Sequence, residues 1–140
     1  MGILLCTLIA WPTPVDIDQY FVCRDKQYKI QQVSKWIPLV DQYFPQSQKE
    51  VALLVIYCES RGVIHAYNKN PNAPGQYKGS SDRGLFQINS ITDKWLRTKI
   101  NLPINPYDPH GQMKAASWIV RNVGSWDWWS SSRKCWDYAA

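Results

Sequence analysis

The sequence predicts a mostly helical α+β domain, in which helices surround one buried central helix and a small β-hairpin forms a separate lobe. Residues 51–58 carry no charge, and a segment that is apolar on every face is typically a buried helix. Residues 77–89 contain several small polar residues before an apolar pair, which favours a short hairpin. The 140 residues, 45% hydrophobic and 19% charged, have the composition of one folded domain.

The chain begins with an uncharged apolar segment, residues 1–15, which is too short to span a bilayer. We predict an N-terminal extension over residues 1–35, partly helical, with a short strand favoured by the alternation at 15–18. We interpret the apolar start as an uncleaved segment that docks on the domain or on a partner. A weak signal peptide ending near Ala10 is the alternative.

The second predicted unit, residues 36–140, begins with a short helix bracketed by prolines at 36–45. Ser47 and Glu50 have the Ser-x-x-Glu spacing of a capping box, which predicts the start of the central helix. Gly62 is expected to end that helix.

The later part of this unit alternates loop and helix signals. Residues 68–75 are rich in Asn, Pro and Gly and predict a loop. Ser90 opens a helix that runs to about Lys99, and Asp108 and Gly124 bound a further helix with a three-four apolar spacing.

The charge and the aromatic content limit the function classes. A net charge of +5 favours anionic partners such as cell-wall polymers or membrane surfaces, but scattered basic residues and the lack of a recognition motif lead us to expect no nucleic-acid partner. Eight Trp and eight Tyr indicate either core packing or a surface that stacks on sugar rings. We expect Trp95 and Trp118 to lie in the core.

The four cysteines contain no Cys-x-x-Cys pair, and the two histidines have no metal-ligand spacing from them. We therefore expect no metal site and no cofactor. The even count predicts one or two disulfides and an oxidising destination, with reduced buried thiols as the alternative.

Glu59 is the candidate for catalysis. It ends the apolar helix, where burial, the negative end of the helix dipole and any nearby carboxylate would raise its pKa. Asp82 lies 23 residues later in a polar stretch and is expected to be ionised. Two carboxylates in contrasting surroundings are typical of enzymes that break glycosidic bonds.

Three segments then carry a resemblance to a known family. They are Glu59-Ser-Arg-Gly62, the stretch 81–90 (Ser-Asp-Arg-Gly-Leu-Phe-Gln-Ile-Asn-Ser), and the later pair of Asn-Pro-Tyr-Asp-Pro at 105–109 and Ala-Ala-Ser-Trp at 115–118. Together with the Trp-rich ending they resemble the lysozyme superfamily over roughly residues 36–136. The resemblance is closest to the phage and bacterial lytic-transglycosylase-like branch, with some features of animal-type lysozyme.

The resemblance implies a lysozyme-like fold and a set of site residues. Glu59 matches the catalytic acid, and Asp82 matches the second carboxylate of animal-type lysozyme. Cys58 and Cys135 resemble a disulfide that ties the catalytic helix to the C-terminal segment. The candidate substrate-binding residues are Ser60, Gln87, Asn89, Tyr107 and Trp126, the last resembling a tryptophan packed against the acid.

The function that follows is cleavage of the β-1,4 bond between N-acetylmuramic acid and N-acetylglucosamine in peptidoglycan. Hydrolysis and a lytic transglycosylase reaction with 1,6-anhydro products both remain open. A non-catalytic lysozyme-like glycan-binding or virion component and a cationic membrane-active protein are the alternatives of other classes. We expect a monomeric, extracellular, periplasmic or virion-associated domain, such as a phage lysin, whose apolar N-terminus contacts a virion or a membrane surface.

Overall fold

The computed structural model describes residues 5–102 and 104–139 and has the predicted α+β architecture. Residues 1–4 of the predicted apolar segment 1–15 lie outside the described part of the chain. The helices are α1 (Pro14–Gln32), α2 (Ile37–Tyr43), α3 (Gln46–Ser60), α4 (Ser90–Lys99), α5 (Pro109–Val123) and α6 (Arg133–Trp136). The strands are β1 (Tyr67–Asn70), β2 (Ser80–Arg83) and β3 (Ile88–Asn89), and short 3-10 helices occupy Ser34–Trp36, Gly75–Tyr77 and Asp127–Ser132.

Helix α3 is the centre of the fold, as the apolar run predicts. Residues 52–56 are buried, and α1, α2, α6 and the last 3-10 helix pack around them. The helix ends where Arg61 and Gly62 both adopt left-handed backbone angles. A Cβ on Gly62 would approach Val33 to 3.0 Å, so glycine suits both the turn and the packing.

The predicted capping box at the start of α3 is wrong. Pro45 already has the extended N-cap conformation, so α3 begins at Gln46 and Ser47 lies inside its first turn without a capping hydrogen bond. Glu50 instead accepts a hydrogen bond from Lys26 at 2.9 Å. A capping box does occur at Thr13 and Asp16, where it opens α1.

Helix α1 takes the place of the short strand expected at 15–18. The capping box and Pro14 in the first turn favour a helix there. The helix packs against α3 without a fully buried residue and forms the Lys26–Glu50 ion pair with it. Lys29 also donates a 2.7 Å hydrogen bond to the carbonyl of Cys135 in α6.

The small lobe is a three-stranded antiparallel sheet in the order β1-β2-β3 rather than a two-stranded hairpin. Strand β1 occupies part of the stretch 68–75 that was predicted to be a loop. Gly84, with φ +80°, makes the turn between β2 and β3, where a Cβ would lie 2.3 Å from the Pro106 carbonyl oxygen and 2.4 Å from Gln112. The lobe is thus in close contact with α5.

The other predicted helices are present. Asp108 caps α5 by accepting a hydrogen bond from the Gly111 amide, and Gly124 ends it with φ +81°. Helix α4 has its N-cap at Asn89, one residue before the predicted start, because the Asn89 side chain accepts from the Ile91 amide. Among the described residues, no helix is long and apolar enough to cross a membrane.

Candidate active site

Glu59 lies in the last turn of α3 and is only partly exposed to solvent. Burial raises the pKa of its carboxyl, a hydrogen bond from the Ser132 hydroxyl opposes part of that rise, and the negative charge of Asp82 adds to it. A carboxyl with a raised pKa keeps its proton to a higher pH than an exposed glutamate. Glu59 is therefore suited to donating a proton.

Asp82 projects from the middle strand of the small sheet. One of its oxygens accepts a hydrogen bond from the Asn70 amide at 2.8 Å, and the other accepts from Asn89 at 2.8 Å. Asn70 lies in β1 and Asn89 lies opposite Asp82 in β3, so both neighbouring strands fix the orientation of the carboxylate.

One cleft contains both carboxylates. It is formed by α3, the sheet, α4, α5 and the last 3-10 helix, so the helical part and the sheet lobe both contribute to it. Its lining residues are Glu59, Asp82, Gln87, Ile88, Asn89, Thr92, Ile119, Trp128, Trp129 and Ser131.

An ion pair next to Asp82 joins the sheet to α4. Arg83 follows Asp82 in β2, and its guanidinium lies 3.0 Å from a carboxylate oxygen of Asp93, which is buried in α4. Arg97 lies 3.2 Å from the same oxygen. Because successive strand side chains point to opposite faces, this pair can hold β2 against α4 while Asp82 faces the cleft.

The predicted substrate-binding residues are only partly in the cleft. Asn89 lines it and holds Asp82. Gln87 also lines it, but its side chain accepts a hydrogen bond from Asn68 and donates to the Ala66 and Gly84 carbonyls, so it mainly holds the turn.

Ser60 and Tyr107 do not line the cleft. The Ser60 hydroxyl donates to the Ile56 carbonyl and accepts from the Gly62 amide, so it provides hydrogen-bond partners for backbone groups at the end of α3. The ring of Tyr107 lies against His65, with centroids 5.7 Å apart. Neither residue is within the lining of the cleft that holds Glu59.

Trp129, not Trp126, is the buried tryptophan in the cleft. Trp126 lies behind it, with its indole N–H donating to Gln48 at 2.7 Å and its ring stacked on Phe44. The ring centroids of the two tryptophans are 5.2 Å apart. Trp129 is 5% exposed and its N–H donates to the Phe86 carbonyl, so burial and a hydrogen bond both hold this indole in the cleft wall.

Sequence reasoning missed Ser132, which contacts the Glu59 carboxylate. Its hydroxyl also accepts from the Trp136 indole N–H at 3.1 Å. A helical spacing could not have found it, because Trp129 has non-helical backbone angles and Cys135 lies in α6, beyond the 3-10 helix. The available signal is that Ser132 lies three residues before Cys135, which the resemblance pairs with Cys58, the neighbour of Glu59.

Two disulfides are present. Cys58 is joined to Cys135, as the resemblance implies, and this bond ties the residue before Glu59 to the segment that carries Ser132. Cys6 is joined to Cys23 in the N-terminal extension. Within the described ranges, no group of three or more His, Cys, Asp or Glu side chains is arranged to hold a metal ion.

Comparison with known proteins agrees with this geometry. A family model described as a lysozyme-like domain, of the SLT type, matches residues 43–131, well over half of the chain and the whole lining of the cleft. No curated protein and no solved structure matches the chain. The match points to an enzyme of the glycosidase or lytic transglycosylase type that acts on peptidoglycan. The chain therefore belongs to the lysozyme-like domain family.

Proposed function

We propose that the protein cleaves the β-1,4 bond between N-acetylmuramic acid and N-acetylglucosamine in peptidoglycan, with Glu59 as the general acid. The observation that carries this proposal is the pairing of two carboxylates in one cleft, where burial raises the pKa of Glu59. This is the arrangement that glycosidic bond cleavage requires.

The reaction begins with transfer of the Glu59 proton to the glycosidic oxygen, which leaves as a hydroxyl as the bond to the anomeric carbon breaks. Positive charge develops on the sugar ring, and Asp82 stabilises it. Glu59 is now a carboxylate and acts as a base towards water, which adds to the anomeric carbon and restores the Glu59 proton. Both oxygens of Asp82 already accept an amide hydrogen bond, which favours an electrostatic role over covalent attack.

A lytic transglycosylase reaction is the second candidate, and the SLT type of the matching family model favours it. In this reaction the 6-hydroxyl of the same muramic acid residue attacks the anomeric carbon, and Glu59 removes its proton. Mass spectrometry of digested cell walls distinguishes the two products. Anhydro ends would contradict hydrolysis, and reducing ends would contradict transglycosylation.

The enzyme hypothesis is tested by clearing of peptidoglycan in a gel with the Glu59→Gln variant. We expect a loss of at least about 1000-fold, since the general acid is removed. Glu50→Gln is the matched control, because Glu50 is the only other glutamate and lies outside the cleft, paired with Lys26. Equal clearing by wild type and Glu59→Gln, or none by either, would remove the enzyme hypothesis and favour a glycan-binding or virion component.

A stability measurement separates lost chemistry from lost folding. Folding raises the pKa of Glu59, so ionisation of Glu59 destabilises the folded state as the pH rises above the unfolded value of about 4.5. Glu59→Gln should therefore melt at the same or a higher temperature than wild type at neutral pH. A lower melting temperature would show that the variant is inactive for structural reasons.

The proposed setting is extracellular or periplasmic, which agrees with the two disulfides. Residues 1–35 are proposed to form an extension to the catalytic unit 36–140, and the family match begins at residue 43. In this extension Leu5, Ile9 and Trp11 are exposed, so their side chains are accessible for the proposed contact with a virion or a membrane surface.

A further inference from the structure

Two buried polar side chains join the sheet lobe to the helices. Asp93 of α4 is 2% exposed and pairs with Arg83 of β2, and Gln112 of α5 is fully buried beside the turn between β2 and β3. The tryptophans of the same helices are less deeply buried: Trp95 is 39% exposed, contrary to the expectation that it lies in the core, and Trp118 is partly buried. Both helices therefore bury a polar side chain more deeply than a tryptophan, and a buried polar group needs a physical reason.

Both ends of the Gln112 amide are hydrogen bonded. Its Oε1 accepts from the Phe86 backbone N–H at 3.0 Å, and its Nε2 donates to the Pro106 carbonyl at 2.8 Å. Once buried, a backbone N–H and a carbonyl need partners, and one glutamine on α5 supplies both. A Cβ on Gly84 would lie 2.4 Å from the Gln112 side chain, so the glutamine also packs directly against the start of the turn.

The wall that carries Glu59 holds the same turn from its other side. The Phe86 carbonyl accepts a 2.7 Å hydrogen bond from the Trp129 indole N–H. Trp129 lies in the same 3-10 helix as Ser132, whose hydroxyl donates to the Glu59 carboxylate. The backbone of Phe86 is thus bonded to α5 through its N–H and to the segment that contacts Glu59 through its carbonyl.

The turn is connected to Asp82 at both of its ends. Asp82 precedes Gly84 by two residues in the chain. Beyond Phe86 the chain enters β3, which pairs with β2, and the Asn89 side chain there donates to an Asp82 oxygen at 2.8 Å. A shift of the turn would therefore move the Asp82 carboxylate.

We propose that Gln112 is a positioning residue, which sets where Asp82 lies relative to Glu59 by holding the turn 84–87 between α5 and the last 3-10 helix. The inference rests on the proposed function, since it concerns the same two carboxylates. Gln112 does not line the cleft, so it acts through the turn and does not touch the substrate. Hydrogen bonds depend on direction as well as distance, so they fix the orientation of the turn more closely than apolar packing does.

The test is a measurement of the pKa of Glu59 by NMR. Glu50 and Glu59 are the only glutamates, so a chain with carbon-13 in the glutamate carboxyls gives two signals, which Glu50→Gln assigns. Gln112→Met keeps the length of the side chain and removes both hydrogen bonds. It should lower the pKa of Glu59 towards the value in Asp82→Asn, because the negative charge of Asp82 raises that pKa and would no longer be held in place.

A double variant shows whether Gln112 acts through Asp82. In an Asp82→Asn background, Gln112→Met should leave the pKa of Glu59 unchanged, because the group through which it acts is already neutral. Ser117→Ala is the matched control and should leave this pKa unchanged in either background. Ser117 is also a buried polar residue of α5, but its hydroxyl donates to the Lys114 carbonyl and not to the turn.

Kinetics give a second measurement. With soluble peptidoglycan fragments, Gln112→Met should lower kcat about tenfold and change KM by less than about twofold, since a displaced Asp82 affects the transition state more than substrate binding.

Gln112→Glu keeps the proposal testable if Gln112→Met does not fold. A protonated carboxyl has both an acceptor oxygen and an O–H donor, so it can replace the amide, whereas the ionised form cannot donate to the Pro106 carbonyl. The activity relative to wild type should therefore fall as the pH rises and the introduced carboxyl ionises. The Asn89 side-chain amide signal should shift over the same pH interval, and this shift should be absent from wild type.

The outcomes separate the two proposals. An unchanged pKa of Glu59 in Gln112→Met, or an equal change with and without the charge of Asp82, would overturn the positioning role. A constant relative activity of Gln112→Glu with an unmoved Asn89 signal would overturn it as well. Absence of cleavage by wild type, with the pKa of Glu59 responding to Gln112→Met only when Asp82 is charged, would contradict the proposed function and support the positioning role.

Discussion

The two carboxylates of the cleft are held by opposite kinds of structure. Glu59 ends a buried apolar helix, next to a disulfide and a cluster of indole rings, and its direct side-chain partner is the hydroxyl of Ser132. Asp82 lies in a short polar sheet, and each of its oxygens accepts a hydrogen bond from an asparagine amide.

This difference explains how two acidic side chains in one cleft can have different roles. The apolar wall disfavours the charged form of Glu59, which keeps a proton available for transfer. The amides of Asn70 and Asn89 donate to the two oxygens of Asp82 and so hold its carboxylate in a fixed orientation. A fixed carboxylate can stabilise positive charge that develops nearby. In the proposed mechanism the acid comes from the helical wall, which is formed by the end of α3 and the 3-10 helix Asp127–Ser132, and the counter-charge comes from the sheet.

The largest effect is expected from breaking the helical wall at Cys58 and Cys135. The disulfide closes a sequence separation of 77 residues, so Cys58→Ser with Cys135→Ser should lower the free energy of unfolding by about 4 kcal/mol in urea denaturation. Activity should fall as well under conditions where the variant is folded, because the bond adjoins both Glu59 and the Ser132 segment.

The Cys6–Cys23 disulfide is the control for this experiment. It closes only 17 residues and lies outside the cleft, so its removal should cost less, about 3 kcal/mol, and should leave clearing activity unchanged. Equal loss of activity from the two double variants would contradict the special role of the helical wall.

A smaller effect, on catalysis rather than on folding, is expected when Asp82 in the sheet is changed. Asp82→Asn should lower kcat about 100-fold, since the stabilising charge is lost. It should also move the alkaline limb of the kcat/KM profile to lower pH, because the charge of Asp82 raises the pKa of Glu59.

Asp18→Asn, on the exposed side of α1, is the matched control and should change neither quantity. A lower rate with an unmoved limb would mean that Asp82 acts on the substrate without influencing Glu59.

The helical wall was largely predictable from the sequence, whereas the order of the tryptophans was not. The uninterrupted apolar run at 51–58 indicates a buried helix whatever its neighbours are. Trp126 and Trp129 are one 3-10 turn apart, and Trp129 itself has non-helical backbone angles. A sequence shows neither the phase of such a kinked turn nor which of two neighbouring rings enters the cleft.

In the sheet, the sequence identified the site residue but not the strand beside it. The family motif identified Asp82, but three of the four residues of β1, Asn68, Lys69 and Asn70, have low strand propensity and were predicted to lie in a loop. It forms a strand because Asn68 donates to Gln87 and Asn70 donates to Asp82, contacts that exist only after the chain has folded. Tertiary hydrogen bonds therefore outweigh local preference at the very strand that orients the second carboxylate.

The smallest expected effect comes from Ser132, which contacts Glu59 but not Asp82. Its hydroxyl donates a hydrogen bond that favours the carboxylate form of Glu59 and lowers the pKa of that carboxyl. Ser132→Ala should raise that pKa further and move the alkaline limb of the kcat/KM profile to higher pH, opposite to Asp82→Asn. The rate below this limb should change by only about fivefold, since a single hydrogen bond contributes roughly 1 kcal/mol. Ser132→Thr should restore the limb, and the exposed Ser130→Ala should leave it unchanged. A slower enzyme with an unmoved limb would show that Ser132 only packs against Trp136 and does not set the proton affinity of Glu59.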